Sequence, residues 1–394
     1  MSAWQSHESA FLCKVLVECR TLTYNAISFA KQHGLKSRRQ MKEFYRSMSS
    51  VDVPSCFKLA VITRACAVLR SRTKSEKRRI SVAHPRPLKL ASCIISGFFV
   101  TATGKLFIGL GPDRFEMLKL NAYVFSRVSL PGIKMRSLTI TKDRVGICYS
   151  AEIQPIATKT VFGVDLNEKN IAFGDRQGAT LVDMSAIPRI KQTTREIVAS
   201  FKRRDVRVRR NLSLKYWGRA TARTSQILHD ATNLVVQQAV TAGAAIALED
   251  IAGINKMYQQ GNRKGKDYRF RMNSWPHFKA YKMIEYKSAW NGVTVIKLTK
   301  GETRGSSSVH LCGEKLHRPV KGDLRRRRQL WCEMCRVWND RDQIAVANLA
   351  QRGLSRLASS LPSTRAKGPA GEVVNGNPTT TAIPKADADK LTTR

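Results

Sequence analysis

Carboxylates are scarce in this chain. Its 394 residues hold 29 Asp and Glu against 69 Lys and Arg, a formal net charge of +40. A body so charged repels itself unless a polyanion neutralises it, so nucleic acid is the favoured partner over an acidic small substrate or a membrane surface. Long apolar runs are missing as well. The most apolar stretch, residues 90–110, is broken by Gly97, Gly104 and Lys105. A membrane span needs about 20 unbroken apolar residues, and this stretch reads instead as two strands joined at Thr103-Gly104-Lys105. The opening residues, Met1-Ser2-Ala3-Trp4-Gln5-Ser6-His7-Glu8, lack a basic segment leading into an apolar run, so no secretory leader is expected. The cysteines, nine in all, have neither the even count nor the regular spacing of a disulfide framework, which fits a reducing compartment.

What is present changes character along the chain. Hydrophobic residues make up 42%, enough to bury several cores. Residues 9–85 are mostly helical in pattern: Leu12, Val15, Leu16, Cys19, Leu22 and Ile27 form one stripe, and Met41, Phe44, Tyr45 and Met48 a second. A third helical segment, 57–69, follows Pro54. Residues 86–156 turn to β, with strands expected at 88–100, 105–110, 134–141 and 145–153. Then come a three-strand meander at 160–165, 170–175 and 180–184, two helices, a short apolar strand at 244–249, a helix around 275–290, a strand at 293–298 and a last helix from about 340 to 357. From residue 359 onward Pro, Gly, Thr, Asn and Lys dominate, and that tail is expected to be disordered.

Three apolar segments end in acid. The strand Val161-Phe162-Gly163-Val164 leads into Asp165, with Gly163 leaving room beside it, and Ala244-Ala245-Ile246-Ala247-Leu248 leads into Glu249 and Asp250. The third acid pair, Asp340 and Asp342, opens a helix whose Ala345 and Ala347 permit close packing on a sheet. One strand-end acid is commonly a solvated cap. Three in an acid-poor chain favour convergence, and converging carboxylates repel one another unless divalent cations lie between them. Two Mg²⁺ ions about 4 Å apart can activate a water and stabilise the leaving oxygen of a phosphodiester. Hard oxygen ligands suit Mg²⁺ or Mn²⁺ rather than zinc.

The strings Gly163-Val164-Asp165-Leu166-Asn167-Glu168-Lys169-Asn170, Leu248-Glu249-Asp250-Ile251 and Asp340-Arg341-Asp342-Gln343-Ile344-Ala345-Val346-Ala347-Asn348-Leu349 resemble the three RuvC motifs of TnpB. TnpB proteins are transposon-encoded RNA-guided DNA nucleases related to compact type V CRISPR effectors. The resemblance runs from about Cys13 to the tail, and the order of motifs around a cysteine segment makes it specific. It implies a multidomain α/β chain. A helical recognition region (1–85) and a β-rich, OB-like wedge (86–156) would precede an RNase H-like RuvC domain (157–300). A zinc-ribbon-like, target-binding segment (301–338) would be inserted before the third-motif helix (339–358), and residues 359–394 form the tail. Asp165, Glu249 and Asp342 would be catalytic and hold Mg²⁺ or Mn²⁺, with Asp340 capping its helix and Asp250 either beside the site or a surface turn residue. Two departures stand out: Ile344 replaces the family's usual asparagine, and the strand that normally precedes the first helix is missing.

Cys332-Glu333-Met334-Cys335 has a zinc-knuckle spacing, and four ligands are needed. The family's second pair is altered, Val309 standing for its first cysteine. Zinc held by His310, Cys312, Cys332 and Cys335, zinc using His317 instead, and a metal-free ribbon are the three readings. The basic residues Lys202, Arg203, Arg207 and Arg210 are expected to contact the phosphates of a guide–target duplex. Residues 325–328, four arginines, would bind RNA or a displaced strand, or form a loose basic loop. Phe270, Trp275 and Phe278 read as core more than as base-stacking residues. The partners implied are a guide RNA from the transposon end and double-stranded target DNA. The location implied is cytoplasmic, beside the nucleoid of a prokaryote. The rival readings are an RNA-guided DNA-binding protein that does not cut, and a transposase that binds element ends without RNA.

Overall fold

The computed structural model describes residues 1–83, 92–111, 113–201, 205–251, 254, 265–319, 323, 326 and 328–360, the side chains of 209, 210 and 360 excepted. The chain divides into two compact units, Met1–Gln154 and Pro155–Arg394. The tail from residue 361, together with Lys202, Arg203, residue 325 and residue 327, lies outside the described residues.

The first unit opens with β1 (Ser2–Ser6), α1 (Ala10–Gln32), α2 (Lys42–Ser47) and α3 (Ser55–Lys77). Ser9 caps α1, its hydroxyl accepting from the Leu12 N–H at 3.1 Å. The apolar stripe of α1 is buried as its spacing predicts, and α1 packs on α3, which buries Phe57, Val61, Ile62 and Ala65. Next come β2 (Ser92–Ile95), β3 (Phe98–Val100), β4 (Lys105–Gly111), β5 (Arg114–Lys119), α4 (Ala122–Val128), β6 (Ile133–Thr141) and β7 (Arg144–Ala151). They form an antiparallel sheet ordered β1-β7-β6-β2 and a three-stranded one ordered β3-β4-β5. Gly104, at φ +75°, makes the expected turn between β3 and β4.

The opening strand expected to be missing is present. β1 pairs antiparallel with β7 from Ser2↔Cys148 to Ser6↔Arg144, and its inward residues are Ala3 and Gln5. Gln5 satisfies its amide by donating to the Lys119 carbonyl at 2.9 Å and accepting from the Asn121 N–H at 2.8 Å. The indole of Trp4 lies over Gly146, where any Cβ would stand 2.5 Å from the ring. A five-residue strand whose buried positions are alanine and glutamine shows no hydrophobic alternation, and so it escapes a reading of the sequence. β5 was equally hidden, its apolar positions being largely exposed.

The second unit contains β8 (Thr160–Leu166), β9 (Asn170–Gly174), β10 (Ala179–Asp183), α5 (Ala186–Ser200), α6 (Ser213–Ala242), β11 (Ala244–Glu249), α7 (Lys266–Ser274), α8 (His277–Trp290), β12 (Val295–Leu298) and α9 (Lys300–Thr303). It ends in β13 (Gln329–Cys332), β14 (Val337–Asp340) and α10 (Arg341–Ser360). The expected meander and apolar strand are all found. The five-stranded sheet runs β10-β9-β8-β11-β12: β8, β9 and β10 pair antiparallel, while β11 is parallel to both β8 and β12. One face is covered by a core in which Leu228, Val235 and Ala239 of α6 and Ala280 and Ile284 of α8 meet Val164, Phe173, Ile246 and Leu248. The other face takes α10, Leu349 packing on Val161, Ala245, Ala247, Ile296 and Leu298. α7 was not foreseen, and Phe278, expected in the core, is 60% exposed.

Candidate functional site

Backbone approach sets the position of α10. A Cβ on Gly163 of β8 would collide with the Val346 carbonyl oxygen and lie 2.7 Å from the Ala350 nitrogen. One on Gly353 would stand 2.7 Å from the Ala247 side chain. Glycine at these two contacts lets the helix lie directly against the sheet, which brings its first turn to the carboxyl ends of β8 and β11. Asp340 caps that turn as expected, its Oδ1 accepting from the Asp342 N–H at 2.8 Å and the Gln343 N–H at 3.3 Å.

Asp165, Glu249 and Asp342 converge there. Burial first, then the nearby charges of Asp342 and Glu249, push the Asp165 carboxyl up to about 6 against the opposing Asn167 amide. Asp165 and Glu249 line one cavity of about 400 Å³ with Asp250, Trp275 and Lys300. Asn167 donates to Asp165 at 2.9 Å and to the Asn170 side-chain oxygen at 3.1 Å, and Asn170 donates on to Asp342 at 3.3 Å. Glu249 accepts from the Thr303 hydroxyl at 3.1 Å, on the capping box that Thr299 and Glu302 make at α9. Asp342, only 4% exposed, is ion-paired with Arg328, whose side chain is half exposed. The three acids offer hard oxygen donors, the kind a divalent cation takes, but among the described residues only the His/Cys group described below has its ligand atoms gathered closely enough to hold one ion.

Sequence reasoning missed the polar frame of this site. Asn167 and Asn170 lie inside the first motif string, two and five residues past Asp165, where their spacing was the available signal. Thr303 gave no signal, and Arg328, read with residues 325–327 as an RNA- or strand-binding run or a loose basic loop, is instead paired with Asp342, because only the fold brings the two close. Ile344, standing where asparagine is usual, is buried with Leu316, Leu330 and Cys332. The amide that reaches Asp342 is instead that of Asn170 on β9. Further along α10, Asn348 donates to the Ser306 and Val309 carbonyls, each at 2.8 Å.

The cysteine segment forms a second cluster. One ligand atom from each of His310, Cys312, Cys332 and Cys335 lies within 4.8 Å of all the others, and among the described residues this is the one such group. His310 Nδ1 is 3.1 Å from Cys312 Sγ and 3.5 Å from Cys335 Sγ, and Cys312 and Cys332 Sγ are 3.6 Å apart. Tetrahedral zinc with Zn–S of about 2.3 Å sets its sulfurs roughly 3.8 Å apart, so the donors fit in kind and spacing. The Glu314 backbone N–H and His310 draw the Cys312 thiol down to about 6, whereas hydrogen bonding with Cys312 pushes Cys335 up to about 11. His317, the alternative ligand, exchanges backbone hydrogen bonds with Trp331 and lies outside this group.

The expected phosphate-binding residues are only partly described. Arg207 is exposed, its backbone N–H donating to Asp205; Lys202, Arg203 and the Arg210 side chain lie outside the described residues. A larger cavity of about 750 Å³ is lined by Lys169, Arg189, Lys191, Phe270 and Arg271, and Trp275 borders both it and the carboxylate cavity. Arg195 lies over the Phe270 ring at 4.4 Å and Arg326 over Trp338 at 4.5 Å. No helix among the described residues is long and apolar enough to cross a membrane.

Comparison with known proteins gives three results. Residues 277–349, from α8 into α10, match the family model of the Cas12f1-like TNB domain. The TnpB-like protein MJ0751 of Methanocaldococcus jannaschii is 28% identical over 235 residues, 56% of this chain and 78% of that protein. The Cas12f1 chain of a cryo-EM structure titled a Cas12f1-sgRNA-target DNA complex superposes with a TM-score of 0.53 at 11% identity, over 86% of this chain and 81% of that one, so what the two share is the fold. The chain is thus similar in sequence to a TnpB-like protein over 235 residues and to the Cas12f1-like TNB domain over residues 277–349, and shares its fold with Cas12f1.

Proposed function

We propose that this chain is an RNA-guided DNA endonuclease encoded by a transposon, cutting target DNA beside a short adjacent motif. The observation that carries the reading is that Asp165, Glu249 and Asp342 lie near one another, burial first and then the charges of Asp342 and Glu249 raising the Asp165 carboxyl. An antiparallel meander continued by two parallel strands, covered by helices on both faces, supports the RNase H-like assignment of this unit. Asp165, Glu249 and Asp342 would hold Mg²⁺ or Mn²⁺, and a divalent cation there supplies an activated water and charge neutralisation at the leaving oxygen. Asn167 and Asn170 orient two of the carboxylates, and Thr303 orients the third. The cationic, aromatic cavity that meets this site at Trp275 suits a phosphodiester strand approaching the acids.

The partners proposed are a guide RNA from the transposon end and double-stranded target DNA. Helices α1 to α3 would serve as the recognition region and the sheets of the first unit as the wedge. His310, Cys312, Cys332 and Cys335 would bind zinc, giving the segment before α10 the role of a target-binding ribbon. Reconstitution with the RNA that copurifies from the native locus tests the reading. Mg²⁺-dependent cutting of matched DNA should appear, and Asp165→Ala should abolish cutting while sparing binding. Cutting retained in that variant, or absent from the wild-type chain, would overturn it. The Arg328–Asp342 ion pair favours one second reading, a guided DNA-binding protein whose site stays closed by its own arginine. It predicts binding without cutting by the wild-type chain and cutting released by Arg328→Gln.

A further inference from the structure

Three cysteines of the first unit meet between its helices and its strands, and neither the acids nor the His310 group uses them. Cys19 belongs to the buried stripe of α1, Cys56 stands in the first turn of α3, and Cys93 is an inward residue of β2. Both α1 and α3 pack on β2. Cys19 and Cys93 are 3% and 4% exposed, and the Cys19 thiol donates to the Cys93 sulfur. The Cys56 thiol donates elsewhere, to the Gly109 carbonyl at 3.4 Å. Arg64 of α3 reaches the same place. Its Nη1 donates to the hydroxyl of Ser92, the neighbour of Cys93, at 3.1 Å, and its Nε is buried without a partner among the described residues.

The surroundings divide the roles of the two thiols. Hydrogen bonding from Cys19 draws the Cys93 thiol down against burial, helped by the Ile94 backbone N–H and the Arg64 charge. The same contact, with burial, pushes Cys19 up, and burial pushes Cys56 up to about 11. The thiolate is the nucleophile in thiol oxidation, so Cys93 is set to react, and Cys19, protonated and in contact with it, to resolve. Burial of both sulfurs admits only a small, uncharged oxidant. We infer that Cys93 and Cys19 are a peroxide-sensitive thiol pair that closes to a disulfide between β2 and α1. The Cys93 thiolate attacks one oxygen of hydrogen peroxide, the O–O bond breaks, and the other oxygen leaves as hydroxide, which takes up the proton Cys93 released and becomes water. Cys93 is thereby oxidised to a sulfenic acid. The Cys19 sulfur then attacks the Cys93 sulfur, and its proton leaves with the sulfenic oxygen as a second water. One peroxide is reduced for each disulfide formed, and an external thiol reverses the bond by exchange. The inference holds whether or not the chain cuts DNA.

Peptide mapping of the full reduced chain, treated with hydrogen peroxide and then alkylated, tests the pair. A linked Cys19–Cys93 peptide should appear, vanish on adding dithiothreitol, and leave Cys56 alkylated. Cys312 and Cys335 are exposed and are read on their own peptides. Cys19 and Cys93 both alkylated while those two are oxidised, or Cys93 bridged to Cys56, would overturn the inference. A sulfenic-acid trap tests the order of attack. It should label Cys93 in Cys19→Ala, where no thiol remains to resolve it, and leave Cys19 unlabelled in Cys93→Ala. The reverse pattern would refute the assigned roles. A bridge closing a long loop constrains the unfolded chain. The change in melting temperature on adding peroxide should therefore be more positive in wild type than in Cys19→Ala by at least about 4 °C, and dithiothreitol should remove the difference. Equal changes in the two proteins would show that no bridge had closed.

Discussion

A divalent cation at the acids would compete with Arg328 for the oxygens of Asp342. Arg328 is half exposed, so solvent screens its end of the pair and a cation can displace it. Arg328→Gln should therefore lower the half-saturating Mg²⁺ concentration by about two- to fivefold. A titration of cleavage, or of Mn²⁺ binding where cleavage is absent, reads the change; no shift would show that the pair does not guard the site. Asp165 carries the corresponding pH signature. Its folded carboxyl titrates at about 6, above its unfolded range, so between pH 4 and 6 the folded state binds more protons than the unfolded one. Stability of the metal-free chain should then fall as pH rises through that window. Asp165→Asn should remove this fall and raise the melting temperature at neutral pH in metal-free buffer. Melting curves with the same pH dependence in both proteins would contradict the burial argument.

At the scale of elements, α10 joins several parts of the second unit. Its first turn presents Asp342 to the acids, Ile344 packs on Leu316, Leu330 and Cys332, Asn348 holds the segment at Ser306 and Val309, and Gly353 seats it on Ala247. Ile344→Asn, which restores the family's usual residue, should weaken the protein rather than improve it. A buried amide facing two leucines and a thiol costs about 1–3 kcal/mol, seen as a lower melting temperature and, where the proposed zinc is bound, its loss on dialysis. Higher activity with unchanged stability would show that the asparagine is wanted at the acids after all. Much of this unit was legible in the sequence because its signals are local: apolar strands ending in acid, Gly163 beside one of them, and a capping aspartate two residues before another. β1, α7, Arg328 and Thr303 were not legible. β1 buries alanine and glutamine, α7 has no buried residue, and the two polar partners reach the acids only through the fold. Phe278 misled in the opposite direction, since helical spacing of aromatics cannot distinguish a buried face from an exposed one.

For the whole molecule, the charge of +40 governs binding more than any single contact does. Affinity for nucleic acid should drop about 10³- to 10⁵-fold between 50 and 200 mM salt if six to ten phosphates are neutralised. Filter binding across that range measures it, and a shallow slope would mean that most of the cations lie away from the bound strand. Removing one acid with Asp165→Ala should leave the slope unchanged, because that carboxyl lines the cavity it shares with Glu249 and would not meet the phosphates. The contact between α10 and the cysteine cluster also has a practical consequence. Cys332 packs against Ile344, two positions along the chain from Asp342, so if both proposed metals bind, a chelator that strips zinc from the thiols would disturb the carboxylate site as well. Inhibition by a general chelator would then confound two causes. Only rescue by Mg²⁺ alone, set against rescue by Mg²⁺ with trace Zn²⁺, would show which metal had been withdrawn.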